Sequence, residues 1–327
     1  MPLVSVIIVN YNAGKHLHRC LQALLTQSFQ DFEVLLVDNA STDQSLESLP
    51  PSNKVSVIKL EKNVGFAAAN NLAAKRAQGT WLALLNPDAF PEKNWLEMMM
   101  RAIGNYPQFS MFGSTQICAN QPDLIDGSGD LYHILGIPMR GNYRRSTRAL
   151  PQTGEVFAPC AAAALYKTED FLTVGGFDEQ FFCYCEDVDL AFRLRLEGKR
   201  CLQVKEAVVH HIGSAITKKS GSFSRYYGIR NRFLVFIKNM PMPLLIPLLP
   251  LHLMFQCVYG GKSLLKGEFK TFCDAWKDIV NILPSTWESR QAVQSRRSIP
   301  LFTLVQSFTF SPVKLVLRLS DVRAVKP

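Results

Sequence analysis

Four short apolar runs fix the layout of the first ninety residues. "LVSVIIVNYN" (3–12), "FEVLLVDNAS" (32–41), "KVSVIKLEKN" (54–63) and "TWLALLNPDAF" (80–90) are rich in Val, Ile and Leu, and each closes on polar residues. Runs of this length read as buried strands of a parallel sheet. Helical patterns separate them. Residues 14–27 carry Leu17, Leu21, Leu24 and Leu25 on one face. "GFAAANNLAAKRAQG" (65–79) is Ala-rich and closes on Gly79. Strand–helix alternation predicts an α/β fold whose ligands gather at the carboxyl ends of the strands. Those ends carry Asn10-Tyr11-Asn12, Asp38-Asn39 and Asn86-Pro87-Asp88.

The strand ends supply the first candidate residues. Asp38 can accept hydrogen bonds from a nucleobase or ribose, and the competing account is a helix cap through Ser41 or Thr42. Asp43 reads as a cap or a support. Asp88 can give one oxygen to a hard divalent cation held with a diphosphate; the competing account is an ordinary Pro-Asp turn. "KNVGFAAANN" (62–71) sets a glycine turn before a helix N-terminus, where backbone N–H groups favour anions. It matches neither G-x-G-x-x-G nor the P-loop pattern.

Farther along, 123–145 reads as loops with short strands that shape a cleft, and 168–182 as a short helix with a Gly-Gly turn. "FFCYCEDVDL" (181–190) puts Glu186, Asp187 and Asp189 directly after an aromatic and cysteine run. A helix is predicted over 186–200, stopped by Gly198. An acidic group near its start is favoured by the helix dipole. Asp189 can pair with Arg193 at i+4. Asp187 has no evident structural partner, which makes it the candidate general base. "VVHHIGSA" (208–215) ends an apolar strand with two histidines on opposite faces, so one ring at most reaches a site on either face.

Charge divides the chain. Residues 1–217 hold 19 Lys and Arg against 22 Asp and Glu, while residues 218–327 hold 17 against 5. A basic end suggests a polyanion, either nucleic acid or an anionic membrane. No nucleic-acid reading module accompanies it, which favours the membrane surface. The 23 residues 239–261 lack formal charge, but Pro241, Pro243, Pro247 and Pro250 predict a broken first half. Interfacial or re-entrant association is therefore expected rather than a full span. "GEFKTFCDAWKDIVNIL" (267–283) reads as amphipathic. The eight cysteines include no C-x-x-C pair, and most lie among apolar neighbours and read as buried thiols. "MPLVSVIIVNYN" lacks a basic n-region and a cleavage site, so no signal peptide is read and a cytoplasmic place is expected.

Taken in order, "VSVIIVNYN", "LLVDNASTD", "KNVGFAAANN", "LLNPDAF", "GGFDEQFFCYCEDVDLAFRLR" and "VVHHIGSA" resemble glycosyltransferase family 2, nearest to its rhamnosyltransferase-like branch. The likeness covers about residues 3–240. It implies a GT-A fold: a Rossmann-like nucleotide-binding half with a mixed central sheet, here over 1–220, followed by a basic helical, membrane-associated region over 221–327. It implies inverting transfer of a sugar, with rhamnose the candidate, from a dTDP- or UDP-sugar to a glycan or lipid-linked acceptor in cell-surface polysaccharide synthesis. Mg2+ or Mn2+ is the implied cofactor, and the inner face of the cytoplasmic membrane the implied location. By motif match, Asn10, Tyr11, Asp38, Asn63, Gly65 and Asn70 would hold the nucleotide. Asp88 and His210 would hold the metal, with His211 the alternative to His210. Asp187 would be the base and Glu186 an acceptor-binding neighbour. Asn86 departs from the family's D-x-D pattern, which puts tight metal binding in question. The competing class is a non-catalytic nucleotide- or glycan-binding regulator on the same fold.

Overall fold

The computed structural model describes residues 1–47, 49–213 and 221–326. The first half alternates as the pattern requires. Strand β1 (Val4–Asn10) leads to helix α1 (Lys15–Leu25), β2 (Phe32–Asp38), β3 (Val55–Lys59), α2 (Gly65–Ala74), β4 (Trp81–Leu85), β5 (Ala89–Pro91) and α3 (Trp95–Asn105). The middle adds β6 (Met111–Cys118), β7 (Ile125–Gly127), β8 (Asp130–His133), β9 (Ile137–Arg140), β10 (Gly154–Val156) and β11 (Ala163–Lys167). Then come α4 (Thr168–Thr173), α5 (Glu186–Leu196) and β12 (Cys201–His211). Helices α6 (Gly221–Asn239), α7 (Met242–Leu265), α8 (Phe269–Ser295), α9 (Leu301–Gln306) and α10 (Pro312–Leu317) complete the chain.

The central sheet has ten strands in the order β10-β12-β6-β11-β4-β1-β2-β3, with β5 on β12 and β7 on β6. Strands β3, β2, β1 and β4 run parallel. Strand β11 is antiparallel to both β4 and β6, which makes the sheet mixed. Each face carries its own core. Val4, Val6 and Ile8 pack beside Leu17, Leu21, Trp95 and Leu96. Ile7, Val9, Leu35 and Val37 face the Ala67–Ala73 side of α2 together with Phe192 and Phe236. An apolar run without polar interruptions is what a strand covered on both faces needs, because alternate residues enter different cores. Fully burying one such Leu or Ile contributes roughly 1.5–3 kcal/mol.

Two expectations change. The third run forms an edge strand, and Val57 on it is 41% exposed, so β3 is only half covered. The proline-rich run 239–261 breaks only at its start, where Met240 and Pro241 separate α6 from α7; α7 then continues through Pro247 and Pro250. Pro243 sits in the first turn, where its missing N–H costs nothing.

The basic tail is built into the core begun by the first half. Phe233, Leu234, Phe236, Leu304 and Phe308 share a cluster with Ile7, Leu84 and Phe192. Thr309 bridges to His133, and Arg323 to Glu155. A buried ion network reinforces the join. Lys238 on α6 meets Asp178 at 2.6 Å and Asp189 at 2.8 Å, while Arg193 holds Asp189 at 2.8 Å. The i+4 pair expected from the sequence is therefore one side of a larger cluster.

Candidate active site

The carboxyl ends of β1, β2 and β4 open onto a cavity of about 650 Å3. Tyr11, Asn39, Asn63, Gly65, Asp88 and His211 line it, together with Glu186, Asp187, Asp130 and Arg140.

The nucleotide-side residues divide into wall and support. Tyr11, Asn63 and Gly65 reach the cavity as expected. Asn10, Asp38 and Asn70 do not line it. Asn10 and Asp38 are register partners across β1 and β2, and the Asn10 amide donates to Asp38 at 3.0 Å and to Ser45 at 2.8 Å. The Asn10 amide and the Asp38 oxygen it meets are spent in tying the strand ends together, while Asn10 Oδ1 stays buried without a partner. Asn70 points along its own helix, donating to the Phe66 carbonyl at 2.8 Å. Asp43 supports, as expected, by accepting from the Gly14 N–H at 2.8 Å. Asn39 was not singled out from the sequence, yet it lines the wall and organises the glycine turn. It donates to Asn63 at 2.9 Å and accepts from the Val64 N–H at 2.9 Å. Gly65 has φ +88°, and a Cβ there would lie 2.5 Å from the Phe182 ring. Only glycine fits this turn.

Asp88 follows β4 and is buried. Its histidine neighbour is His211, not His210. Strand β12 pairs with β5 so that His211 turns inward and His210 outward. His211 Nε2 lies 3.3 Å from Asp88 Oδ1, and Nδ1 lies 2.8 Å from Asp126 Oδ2. His210 reaches Glu92 at 3.1 Å and is absent from the cavity. The expectation for His210 is thus corrected to the alternative residue, and alternation along the strand is the physical reason. Burial disfavours the His211 cation, but the Asp126 hydrogen bond and the nearby Asp88 carboxylate outweigh it and lift the pKa to about 9. The contact of Nε2 with Asp88, at 3.3 Å, is long for a hydrogen bond. A ring whose Nδ1 is fixed by a carboxylate and whose Nε2 faces a second carboxylate is suited to metal binding with the proton displaced.

The acidic run reaches the same cavity. The chain enters α5 through a tight turn in which Phe182, Tyr184 and Cys185 all have positive φ. That conformation is costly for residues with a Cβ. The restraint comes from the tail: Asn231 on α6 donates to the carbonyls of Phe181, Cys183 and Tyr184 at 2.9, 2.9 and 2.7 Å. The aromatic run is therefore a folded abutment, and the carboxylates that follow are aimed by it. Asp189 turns into the Lys238 network. Asp187 faces the cavity and accepts from the Ala161 N–H at 3.0 Å, a partner that the sequence did not disclose. Burial raises its pKa, opposed by the N–H groups of Ala161 and Val188 and by Arg140. Glu186 is raised well above the carboxylate range by burial and by Asp187. A raised carboxylate whose lone pairs face a cavity is a competent proton acceptor.

Arg140, Asp126, Asp130 and Cys160 were missed because they lie in the irregular middle, where no period marks a facing side chain. The hairpin β8–β9 sets Asp130 opposite Arg140, and Arg140 meets Asp126 at 2.7 Å.

The model of the family described as "Glycosyl transferase family 2" matches residues 5–172. The chain belongs to glycosyl transferase family 2. This glycosyltransferase is 32% identical over 117 residues to the glycosyltransferase GlyG of Streptococcus pneumoniae, covering 32% of its own length and 39% of that relative. It is 29% identical over 236 residues to N-acetylglucosaminyl-diphospho-decaprenol L-rhamnosyltransferase of Mycobacterium tuberculosis, covering 64% of itself and 76% of the relative. Among solved structures, it resembles GalNAc-T7, crystallised with UDP, GalNAc and Mn2+, at a TM-score of 0.59 and 17% identity. That match spans 73% of this glycosyltransferase and 48% of the other chain. The likeness supports the GT-A fold.

Proposed function

We propose that this glycosyltransferase moves a sugar, with rhamnose the candidate, from a UDP- or dTDP-sugar to a hydroxyl of a glycan or lipid-linked glycan, inverting the anomeric centre. The observation that carries the reading is the shared cavity, lined by both Asp187 and the Asp88–His211 pair. Cell-surface polysaccharide synthesis is proposed on the likeness to the mycobacterial rhamnosyltransferase.

In this reading Tyr11, Asn39, Asn63 and Gly65 receive the nucleoside. Asp88 and His211 would hold Mg2+ or Mn2+, and the buried Nε2 of His211, directed at Asp88, fits such a role. The ion would offset charge on the diphosphate. Asp187 takes the proton of the acceptor hydroxyl as its oxygen forms a bond to the anomeric carbon. The bond from that carbon to the diphosphate breaks on the opposite face, and the nucleoside diphosphate leaves. Glu186, holding its proton, orients the acceptor. No protein nucleophile takes part.

The tail is proposed to keep the enzyme at the inner face of the cytoplasmic membrane. Helix α7 has 24 residues, with a mean hydropathy of 1.5 over an 18-residue window, and is long and apolar enough to cross a membrane by length and composition. Ile246, Met254, Val258 and Leu264 on it are exposed. Exposed Lys262, Lys266 and Lys270 follow within a few residues, which favours an anionic surface.

The test is a thermal-shift screen of UDP- and dTDP-sugars with and without Mn2+, followed by turnover of the stabilising donor. Asp187→Asn should retain donor binding and lose about 10²–10⁴ in transfer rate. Near-normal turnover in that variant, or no donor that stabilises the chain, would falsify the reading.

A further inference from the structure

Asp130 is an unexplained buried acid. It is 8% exposed, its Oδ1 has no hydrogen-bond partner, and it lines the cavity. A buried polar oxygen left unpaired is costly, so its persistence calls for a ligand. Its position is fixed. Its backbone exchanges hydrogen bonds with Ala158 at 2.9 and 3.1 Å, and it stands opposite Arg140 in the β8–β9 hairpin. An oxygen of Asp130, the Cys160 sulfur and an oxygen of Asp187 all lie within 4.8 Å of one another.

That spacing fits neutral oxygens between two carboxyl groups. Hydrogen bonds of about 2.5–3.0 Å from each side leave room for one hydroxyl, or for two adjacent ones. A cation suits the place less well. The Arg140 guanidinium already acts on both acids, and burial pushes the Cys160 thiol up to about 12, which disfavours the thiolate. Burial and the charge of Asp187 also push the Asp130 carboxyl up to about 8, with Arg140 opposing and Asp126 adding. At neutral pH Asp130 is then mainly an acid with one proton to donate and lone pairs to accept. A sugar hydroxyl offers the same two roles.

Resting on the transferase reading above, we propose that Asp130 is the second anchor of the acceptor sugar: it holds the hydroxyl adjacent to the one that Asp187 deprotonates. The enzyme therefore selects an acceptor with two vicinal free hydroxyls. One is bound at Asp187 and reacts; its neighbour is bound at Asp130 and does not. Asp130 takes part in no bond making or breaking.

The experiment is saturation-transfer NMR on the full chain, using methyl glycosides of glucose, N-acetylglucosamine, galactose and rhamnose and their monodeoxy analogues. The proteins are wild type, Asp130→Ala and Asp130→Asn. UDP–Mn2+ affinity is measured on the same samples by calorimetry. At least one glycoside should bind wild type and bind Asp130→Ala about tenfold more weakly, the size of one buried hydrogen bond. Asp130→Asn, which keeps a donor and an acceptor, should recover most of the loss. The analogue lacking the adjacent hydroxyl should bind wild type and Asp130→Ala alike, and UDP–Mn2+ affinity should be unchanged in all three. The proposal is overturned if no glycoside binds wild type, if Asp130→Ala binds every glycoside as wild type does, or if UDP–Mn2+ binding falls with the substitution. Should Asp130→Ala fail to fold, the deoxy comparison on wild type and Asp130→Asn decides: equal affinity for parent and deoxy sugars overturns it. Absence of UDP–Mn2+ binding in wild type counts against the transferase reading and leaves the glycoside result standing by itself.

Discussion

The turn before α5 is held by a side chain outside the matched family segment, and Asn231→Leu tests what that means. Leucine has the same branching and number of heavy atoms, in a somewhat larger volume, but no amide. The Asn231 amide has two hydrogens shared among three carbonyls, those of Phe181, Cys183 and Tyr184. Losing two net hydrogen bonds costs roughly 1–3 kcal/mol, and leaving the shielded part of the carbonyls unpaired adds roughly 1–2 kcal/mol. Against this stands the strain of three non-glycine residues with positive φ, roughly 1–2 kcal/mol each. The two quantities are of similar size, so removing the amide lets the turn relax and carries Asp187 away from the Ala161 N–H. A local loss of about 2–5 kcal/mol should reduce amide protection in the 181–189 segment by about 30-fold or more. Hydrogen exchange read by mass spectrometry measures this without any substrate. Asn231→Asp should be no better, because its carboxylate would face carbonyl oxygens. Turnover should drop with protection in both variants. Unchanged exchange across 181–189 in Asn231→Leu would refute the reasoning, because the turn would then hold its shape without the amide.

Asp88→Ala should weaken UDP or dTDP binding in the presence of Mn2+ and leave metal-free binding nearly unchanged; calorimetry with equal metal-dependent affinities would remove Asp88 from the role. His211→Ala should act in the same direction and His210→Ala should not, since only His211 lies beside Asp88; the reverse order would restore the outward ring. Lys238→Met leaves Asp178 and Asp189 with less compensation and should cost about 3 kcal/mol, near the low end for a broken buried pair because Arg193 remains. Thermal melts check this, and a melting point unchanged within a degree contradicts it. Full-length protein should sediment with anionic vesicles and be released partly by high salt, as screening over roughly 8 Å requires; replacing Ile246, Met254 and Val258 with Ser should reduce the salt-resistant part, and equal sedimentation of both proteins argues against α7 as the contact.

The first ninety residues were readable because their signals are local. A continuous Val/Ile run can be satisfied only by a strand covered on both faces, and a polar strand end in an α/β alternation marks the binding edge whatever surrounds it. Asp88 follows from that logic, Asp187 from its lack of a helical partner, and Tyr11, Asn63 and Gly65 from the family resemblance; all five line the cavity. Asp189 was assigned to Arg193 by helical spacing alone, and the pair forms at 2.8 Å. What the sequence left open was direction and partnership. Two adjacent histidines on one strand differ only in which face the sheet assigns them, and the pairing of β12 with β5 decided for His211. Asn10 and Asp38 bear groups as suitable for a nucleotide as Asn39 does, but cross-strand register binds them to each other. Asp130 and Arg140 are placed by a hairpin in a stretch without periodicity, and Asn231 acts on a turn nearly fifty residues earlier. Local propensity is written in neighbouring residues; the meeting of side chains distant along the chain is set by packing, and only the folded structure contains it.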